Sequence, residues 1–316
     1  MSEATITITL PNGDARQVPQ GATALDIARG ISPRLADDAL AGKVNGVTVD
    51  LNAPILADAT VQILTFNDDD GKQVYWHSTS HLMAHAIESL YPGAKFGVGP
   101  AIESGFYYDI DIDRILTPDE LVLIERRMEE LSKEDKPFTR SEMSKSEALR
   151  MFTEKGDQYK IEIISGLDES SEKISCYSEG AFTDLCRGPH VPSAGRLKHV
   201  KLLTVSGSYW KGDAKNRQMQ RIYGISFPKK KDLDEHLRLL EEAKKRDHRK
   251  LGRELDLFTF HDIAPGAPFW LPRGMIIFRE LEKLIRELLD ASGYQEILTP
   301  ILVKKDLWEE SGHWEH

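Results

Sequence analysis

Apolar and polar side chains alternate along the N-terminal segment of the chain. In residues 4–10 threonines separate the apolar positions, and β-branched side chains with a period of two are typical of a half-buried strand. Asn12 and Gly13 follow this run, and this dipeptide between two alternating segments is a strong hairpin signal. The pattern therefore predicts a hairpin whose second strand ends near Pro19.

The rest of the N-terminal segment combines one helix with further short strands. Thr23 can cap a helix that ends near Gly30. Strand-like runs follow at 43–44, 47–49 and 61–66. This order predicts a small β-grasp module over residues 1–66, and the acidic run at 67–71 predicts a linker after it.

The middle of the chain predicts an α+β domain over residues 67–227. Apolar residues at helical spacing predict a helix over 75–91. Thr117 and Pro118, followed by two acidic residues, are a strong helix start, because they combine a cap with a proline in the first turn. Short strands and turns are predicted for 157–227.

The C-terminal part of the pattern predicts a spacer helix and a further domain. Residues 228–254 carry leucines three or four apart among many charges, which predicts one long charged helix. After it, the pattern predicts a strand near 255–260, an amphipathic helix over 275–289 and a strand over 295–300. The last residues contain no closing strand, cap or polar tail, so we expect a truncated domain.

The composition is that of a globular protein of about two domains. The chain has 316 residues, of which 40% are hydrophobic and 29% are charged. Its net charge of −10 argues against a protein that grips nucleic acid over its whole surface, although the basic residues between Lys229 and Lys250 could form a local patch. The sequence has no apolar run that could span a membrane, no signal-peptide pattern and only two cysteines. These features predict a cytoplasmic protein with no membrane partner.

Histidine and cysteine recur in two short spacings. His81 and His85 are four residues apart, so they lie on one face of the predicted helix, and His77 precedes them by a further turn. Cys186 and His190 are also four apart, in a segment that its glycine and proline make a loop. The two four-residue pairs together would form an acceptable tetrahedral zinc set.

The spacing leaves the chemistry of these pairs open. The residues between the two helical histidines lack the glutamate of the H-E-x-x-H motif, so the metalloprotease interpretation fails. Without a metal, the imidazoles could orient a water molecule and move protons, because the pKa of histidine lies near neutrality. Zinc-dependent chemistry, metal-free hydrolysis and a structural zinc site are all compatible with the residues.

Several longer segments resemble the threonyl branch of the aminoacyl-tRNA synthetases. The His/Cys spacings are similar to those of the second additional domain that threonyl- and alanyl-tRNA synthetases share. The segments that indicate the threonyl branch are 99–109, 183–192, 207–213 and 241–258. Residues 1–66 resemble the β-grasp (TGS) module at the N-terminus of those enzymes, so the resemblance covers the whole chain in the right order.

The resemblance implies an α+β multidomain protein. Its parts would be a ubiquitin-like β-grasp module (1–66), an α+β editing domain (67–227), a linker helix (228–254) and a truncated class II synthetase antiparallel-sheet domain that includes motif 1 (255–316). The ATP-handling motifs, the ligands of a catalytic zinc and the anticodon-binding domain would lie beyond His316. The complete enzyme would be a homodimer that uses threonine, ATP with Mg²⁺, and tRNA(Thr).

The resemblance also implies a proofreading site that hydrolyses seryl-tRNA(Thr). The residues implied in this site are His81, His85, Lys160, Asp184, Cys186 and His190. Lys160 would contact the terminal ribose or phosphate of the tRNA, and His81 or Lys160 would help to move protons. The alanyl branch holds zinc with the His/Cys set, whereas the threonyl branch is thought to act without metal. We therefore expect a metal-free site, with Cys186 as a positioning group rather than a nucleophile.

Two other functions fit parts of the pattern. A zinc-stabilised module that binds RNA or protein would hold zinc stoichiometrically and would not hydrolyse seryl-tRNA. A trans-editing paralogue without ligase activity would end in an ordered domain. The order and length of the matching segments favour the editing hydrolase as part of a synthetase.

Overall fold

The computed structural model describes most of the chain. The residues outside this description are 1–3, 168–172 and 316, which include the outer ends of the first and last predicted domains. The chain forms two compact bodies, Met1–Leu237 and Arg238–His316. Among the described residues, no helix combines the length and the apolar character that crossing a bilayer requires.

A five-stranded mixed sheet forms the N-terminal module. Its strands are β1 (Thr5–Thr9), β2 (Ala15–Pro19), β3 (Ala41–Val44), β4 (Val47–Asp50) and β5 (Ala59–Leu64). They lie in the order β2-β1-β5-β3-β4, with β1 and β5 parallel and the other neighbours antiparallel. The predicted hairpin is confirmed, and Ile6 and Ile8 of β1 pack with Ile27 in the module core.

Two short helices follow the hairpin, α1 (Ala24–Ile31) and α2 (Pro33–Asp38). Thr23 forms a reciprocal capping box for α1, which confirms the predicted helix start. α2 was not predicted, although Ser32 caps it and Pro33 occupies its first turn, which are both recognisable helix-start signals.

The acidic run at 67–71 is not a linker, so this prediction is wrong. A long helix, α3 (Asp69–Leu90), begins inside the run, where aspartates in the first turn interact favourably with the positive end of the helix dipole. A Cβ atom on Gly71 would overlap the carbonyl oxygen of Thr65, so the helix starts in direct contact with the chain that leaves β5. The N-terminal module therefore joins the next domain without a spacer.

The described residues of the second domain form two antiparallel sheets and, besides α3, three α-helices. Its strands are β6 (Lys95–Phe96), β7 (Ala101–Ile102), β8 (Gly105–Asp111), β9 (Phe138–Met143), β10 (Ile174–Glu179), β11 (Phe182–Leu185), β12 (Val200–Tyr209) and β13 (Gln218–Ser226). The helices are α4 (Pro118–Glu134), α5 (Lys145–Glu154) and α6 (Gln158–Ser165). One sheet has the order β12-β13-β8-β6, with β7 also paired to β8, and the other has the order β11-β10-β9.

α3 is the central helix of this domain. Most of its residues are buried, and Leu82, Met83 and Ile87 belong to the largest hydrophobic core. The predicted start of α4 at Thr117 is confirmed by a capping box. The prediction of strands and turns over 157–227 is wrong at its start, where Asp157 caps α6 and thereby places Lys160 on a helix.

The predicted single helix over 228–254 is wrong, because two helices occupy this segment. α7 (Lys230–Lys245) ends before Asp247, and α8 (His248–Glu254) begins directly after it. The carboxylate of Asp247 accepts hydrogen bonds from two backbone N–H groups of α8, so it starts a new helix instead of continuing the first.

The second body also contains a small hairpin and two later helices. Their bounds are β14 (Phe258–Thr259), β15 (Phe269–Trp270), α9 (Pro272–Ala291) and α10 (Lys305–Glu310). The predicted amphipathic helix is confirmed by α9. Residues 295–300 are not a strand, because they have no ladder partner in the described part of the chain and a strand exists through pairing.

Candidate functional site

A cavity of about 620 Å³ opens beside α3 in the first body. Residues 97–100, α6 and the β10–β11 hairpin with the loop after it form its other walls. Its polar lining includes His77, His81, Lys160, Asp184 and Cys186, and its apolar lining includes Ile163, Leu167 and Ile174. The second domain thus brings these chemistry-bearing residues from three separate chain segments to one cavity.

Three histidines and one cysteine form a tight cluster at this cavity. The possible ligand atoms of His77, His81, Cys186 and His190 all lie within 4.8 Å of one another. The first two residues lie one turn apart on α3, and the other two lie on the loop that follows β11. Gly188 has a φ of +71°, and a Cβ atom there would overlap the hydroxyl of Tyr177, so glycine is required for the loop to fold back onto the helix.

His85 does not belong to this cluster, which corrects the predicted zinc set. Its Nδ1 pairs with the carboxylate of Glu179, and its ring stacks on Phe182 at a centroid distance of 5.8 Å. Four residues on an α-helix advance by about 40° beyond a full turn, so a third histidine at this spacing drifts away from the first two. The loop with Cys186 approaches the earlier turns of α3, and His77 takes the fourth place.

The hydrogen-bond partners determine which ring nitrogen of His77 carries the proton. Nδ1 of His77 lies 3.2 Å from the carbonyl oxygen of Gly99, which can only accept, so this nitrogen donates. The lone pair is then on Nε2, which lies 3.0 Å from Sγ of Cys186. His77 therefore presents an acceptor to the thiol.

His190 carries its proton on the same ring nitrogen as His77. Its Nδ1 lies 3.0 Å from the hydroxyl oxygen of Ser78, whose own hydrogen is donated to the carbonyl of Val74. Nδ1 must therefore donate, and the lone pair of Nε2 lies 3.3 Å from Sγ of Cys186. The thiol thus lies between two imidazole acceptors.

Burial makes the whole cluster electrically neutral at neutral pH. It lowers the pKa of His77 and holds the pKa values of His81 and His190 well below the ordinary range; neighbouring histidines and, for His81, Lys160 add to the effect of burial, because they disfavour a further positive charge. Burial also raises the pKa of the Cys186 thiol to about 12. A thiol in this state is a poor nucleophile, because the thiolate is the reactive form.

A buried ion pair lies beside the cluster. Nζ of Lys160 lies 2.7 Å from Oδ1 of Asp184 and donates to the carbonyl oxygen of Gly97 at 2.9 Å. The hydroxyl of Tyr108 donates to the other carboxylate oxygen, and Nδ1 of His81 lies 3.7 Å from it. All four ionisable side chains are almost fully buried, so each one is held in place by the others.

Tyr108 and His77 are the two functional candidates that the predicted site omits. Burial and the charge of Asp184 hold the pKa of the Tyr108 phenol well above its ordinary range, so the phenol keeps its proton and can donate it in a hydrogen bond. The strand alternation that puts Phe106 and Tyr108 on one face is readable in the sequence. The partners of these residues are not readable, because they lie far away along the chain.

The donor set of the cluster fits a metal such as zinc. Three imidazole nitrogens and one thiolate sulfur are ligands that zinc prefers in tetrahedral sites. Two of the imidazoles already direct lone pairs at the sulfur, which would have to lose its proton on binding. His77, His81, Cys186 and His190 could therefore hold a metal ion.

Two parts of the chain match known domain families. Residues 6–65 match the TGS domain. Residues 174–223 match the second additional domain of threonyl and alanyl tRNA synthetases, and they contain Asp184, Cys186 and His190. The cavity therefore lies at a part of the chain that has relatives among synthetases.

The chain is also similar over 98% of its length to curated threonine–tRNA ligases. It is 53% identical over 311 residues to that of Desulforamulus reducens and 52% identical over 312 residues to that of Porphyromonas gingivalis. These matches cover 49% and 48% of the two relatives, so the chain spans about half of their length. Because both domains are present and about half of the aligned residues are identical, the chain is similar to the N-terminal portion of the threonine–tRNA ligases.

Proposed function

We propose that the cavity of the second domain hydrolyses seryl-tRNA(Thr). The observation that supports this most is the joint lining of one cavity by a buried Lys160–Asp184 pair and by neutral histidines, in the domain related to synthetase second additional domains. Hydrolysis of an aminoacyl ester needs a water nucleophile, a group that takes its proton and a group that stabilises the carbonyl oxygen. The cavity contains a candidate for each role.

His81 is the candidate general base. Its ring makes no hydrogen bond to another described residue and lines the cavity, whereas the rings of His77 and His190 both donate to fixed partners. Its pKa is lowered by burial, so the ring is neutral at pH 7 and can accept a proton from water. As the water oxygen bonds to the ester carbonyl carbon, the proton passes to His81, and the nearby carboxylate of Asp184 stabilises the imidazolium.

Lys160 is the candidate for charge stabilisation. Its ammonium group is held by Asp184 and by the Gly97 carbonyl at the cavity wall, where it would contact the terminal ribose or phosphate of the tRNA and the carbonyl oxygen. When the tetrahedral intermediate collapses, the bond between the carbonyl carbon and the ribose oxygen breaks. The ribose oxygen takes a proton from Lys160 or from protonated His81, and serine leaves as the free acid.

Cys186 has a positioning role in this proposal. Its pKa is raised by burial, so the sulfur keeps its proton and can donate it to His77 or to His190, one at a time. A covalent thioester is not required, because water attacks the ester directly. His85 has no role in the reaction, since it is paired with Glu179 outside the cluster.

Proofreading is needed because serine differs from threonine by one missing methyl group. A hydrophobic pocket that lacks one methyl contact discriminates by only about 10–200-fold. A second site that admits serine and clashes with the methyl of threonine would remove the remaining errors. The alcohol side chain and the size of the amino acid are thus the features that the cavity would select.

A zinc-dependent site is the second candidate, and the four-residue cluster is the observation that favours it. His77, His81, Cys186 and His190 would hold the ion, which would supply Lewis acidity to a bound water or carbonyl. The chain's own residues would still orient the ester and move its protons. We prefer the metal-free proposal, as expected for the threonyl branch.

The activities of the complete protein are a further proposal. If it acts like its relatives, the complete protein would attach threonine to tRNA(Thr) with ATP and Mg²⁺. It would contain one catalytic zinc and would be a cytoplasmic homodimer. The first long helix of its ligase domain would be α9. The chain spans about half of those relatives, so charging is not expected of it alone.

The test is release of serine from seryl-tRNA(Thr) by the 316-residue chain, beside release of threonine from threonyl-tRNA(Thr), with and without a chelator. We expect faster release of serine, unaffected by chelation, and a loss of roughly 100-fold in His81→Ala. The matched control is His199→Asn, because His199 is exposed and its positive φ suits asparagine.

Each contrary outcome has a defined meaning. Loss of activity on chelation would replace the metal-free proposal by the zinc-dependent one. No release of either amino acid by a folded chain that binds tRNA would refute the hydrolytic function, and stoichiometric zinc in that chain would favour a binding module.

A further inference from the structure

One carboxylate of the N-terminal module reaches the loop of the candidate site. Asp50 is the last residue of β4, and its Oδ1 accepts a hydrogen bond from the backbone N–H of His190 at 2.9 Å. Its Oδ2 accepts a hydrogen bond from the hydroxyl of Tyr177 at 2.7 Å. Asp50 is thus the point where the first module contacts the loop that carries Cys186 and His190.

Both donors are buried, and both support the His190 ring. His190 is 1% exposed and Tyr177 is 3% exposed, so neither group can turn to bulk water if its acceptor is lost. The Tyr177 ring meets His190 edge-on at a centroid distance of 4.5 Å, and its hydroxyl occupies the space that a side chain on residue 188 would need. Tyr177 and Asp50 therefore form the floor beneath the loop.

Other residues of the second domain also hold the His190 ring. Phe138 stacks on the ring at 4.9 Å, and Ser78 bonds to its Nδ1. These contacts orient the ring, whereas the contact with Asp50 fixes the backbone to which the ring is attached. Removal of Asp50 would free the backbone at the position where the cluster needs it.

A second contact joins the same module to the second domain without touching the loop. The guanidinium of Arg196 donates to the carbonyl oxygens of Ala36 and Asp37. Docking of the module and support of the loop therefore depend on different residues, and the two effects can be separated by mutation.

We propose that Asp50 is a positioning residue for the hydrolytic site, through which the N-terminal module holds the His190 backbone in place. The inference rests on the proposed function of the cavity. It assigns the module a direct part in proofreading that its separate sheet and core do not suggest. A shift of about 1 Å in a reacting constellation can cost roughly 100-fold in rate, so a loop of this kind requires a fixed support.

The first test measures hydrogen exchange of the backbone amides in residues 186–192, which does not depend on catalysis. We expect Asp50→Ala to exchange the His190 amide roughly 10-fold faster or more, because its acceptor is gone. Asp50→Asn should retain protection, because its amide oxygen accepts from His190 and its NH₂ donates to the Tyr177 hydroxyl. The matched control is Asp58→Ala, since among the described residues Asp58 accepts a side-chain hydrogen bond only from the Thr7 amide, inside the module.

The second test measures serine release by the same variants. We expect Asp50→Ala to lower kcat roughly 10-fold or more with little change in KM, and Asp50→Asn to restore most of the rate. Arg196→Ala, which weakens docking alone, should have a smaller effect. Asp50→Glu replaces Asp50→Ala if that variant does not fold, since it keeps the charge but moves the carboxylate relative to the His190 amide.

Unchanged exchange at His190 in Asp50→Ala would overturn the proposal. So would equal losses in Asp50→Ala and Arg196→Ala without rescue by asparagine, because the role would then be docking alone. If the unaltered chain releases no serine, the proposed function fails, and the exchange result alone decides whether Asp50 holds the loop.

Discussion

At the scale of single residues, His77 and His85 show how spacing and contact differ. Both lie four residues from His81, and nothing in the sequence places one closer to Cys186 than the other. In the fold, His77 contacts the thiol, whereas His85 pairs with the buried Glu179. His77 therefore belongs to the site, whereas His85 belongs to the structure around it.

Replacement of His85 is expected to affect stability rather than chemistry. His85→Ala leaves the Glu179 carboxylate buried without a partner, which should lower the free energy of unfolding by roughly 3 kcal/mol in urea denaturation. The double variant with Glu179→Leu should regain much of this loss, because no buried charge remains. Equal stability of His85→Ala and the unaltered chain would contradict the assignment.

Replacement of His77 is expected to have the opposite profile. His77→Ala removes an acceptor of the Cys186 thiol at the cavity, so serine release should fall roughly 10-fold or more at saturating substrate. The free energy of unfolding should change less than in His85→Ala, because no buried charge loses its partner. A loss of release in His85→Ala but not in His77→Ala, both measured on folded protein, would reverse the two roles.

The buried histidines should make the metal-free chain sensitive to acid. Burial lowers the pKa of His77 and holds those of His81 and His190 well below 6.5. The unfolded chain then binds more protons than the folded chain, so stability is retained above about pH 6.5 and is lost as the pH falls below it. Urea denaturation in the presence of a chelator should show this loss, with a smaller slope in His190→Asn. A free energy of unfolding that does not change with pH in this range would refute the burial of these histidines in the neutral form.

At the scale of elements, caps and close contacts determine where helices begin. Thr23, Thr117 and Asp247 each accept hydrogen bonds from a first helical turn. The first two starts were predicted from local sequence, whereas Asp247 was overlooked within a charged run. The start of α3 inside an acidic run depends on something more distant, the contact between Gly71 and Thr65.

This contact predicts different outcomes for two glycine substitutions. Gly71→Ala should lower the free energy of unfolding by roughly 1–3 kcal/mol, because its Cβ would overlap the Thr65 carbonyl and force the helix away. Gly30→Ala is the matched control, since Gly30 lies in α1 with open space around it and alanine favours the helix. Thermal and urea unfolding would measure both, and equal effects would contradict a tight junction.

At the scale of the whole molecule, the first body contains the entire described site. The cavity residues, Asp50 and the main core all lie before Arg238, and Leu233 and Leu237 of α7 pack on that core. The boundary between bodies therefore falls inside a helix rather than in a loop.

A chain that ends after Leu237 should fold and keep the hydrolytic activity of the longer one. Its cooperative unfolding and serine release, measured beside the full chain, would test this expectation. The matched control ends after residue 228 and lacks the buried Leu233, so it should be less stable. If the chain that ends after Leu237 did not fold, the second body would be shown to support the first.

The sequence by itself determined what depends on near neighbours. The hairpin at Asn12-Gly13, the cap at Thr117 and the amphipathic pattern of α9 are local signals, and the structure confirms them. The resemblance to threonyl-tRNA synthetases was also readable from the sequence, because the motifs that carry it are short strings of residues. Five of the six predicted site residues, all except His85, also lie together in the structure.

Only the tertiary structure decided which partners those residues have. His77 meets Cys186 across 109 positions, Tyr108 meets Asp184 across 76, and Asp50 meets His190 across 140. Periodicity specifies the face of a helix or strand on which a side chain lies, but not which turn of that face another segment will approach. That choice depends on how buried surfaces pack throughout the domain, and the site exists only where the packing brings its segments together.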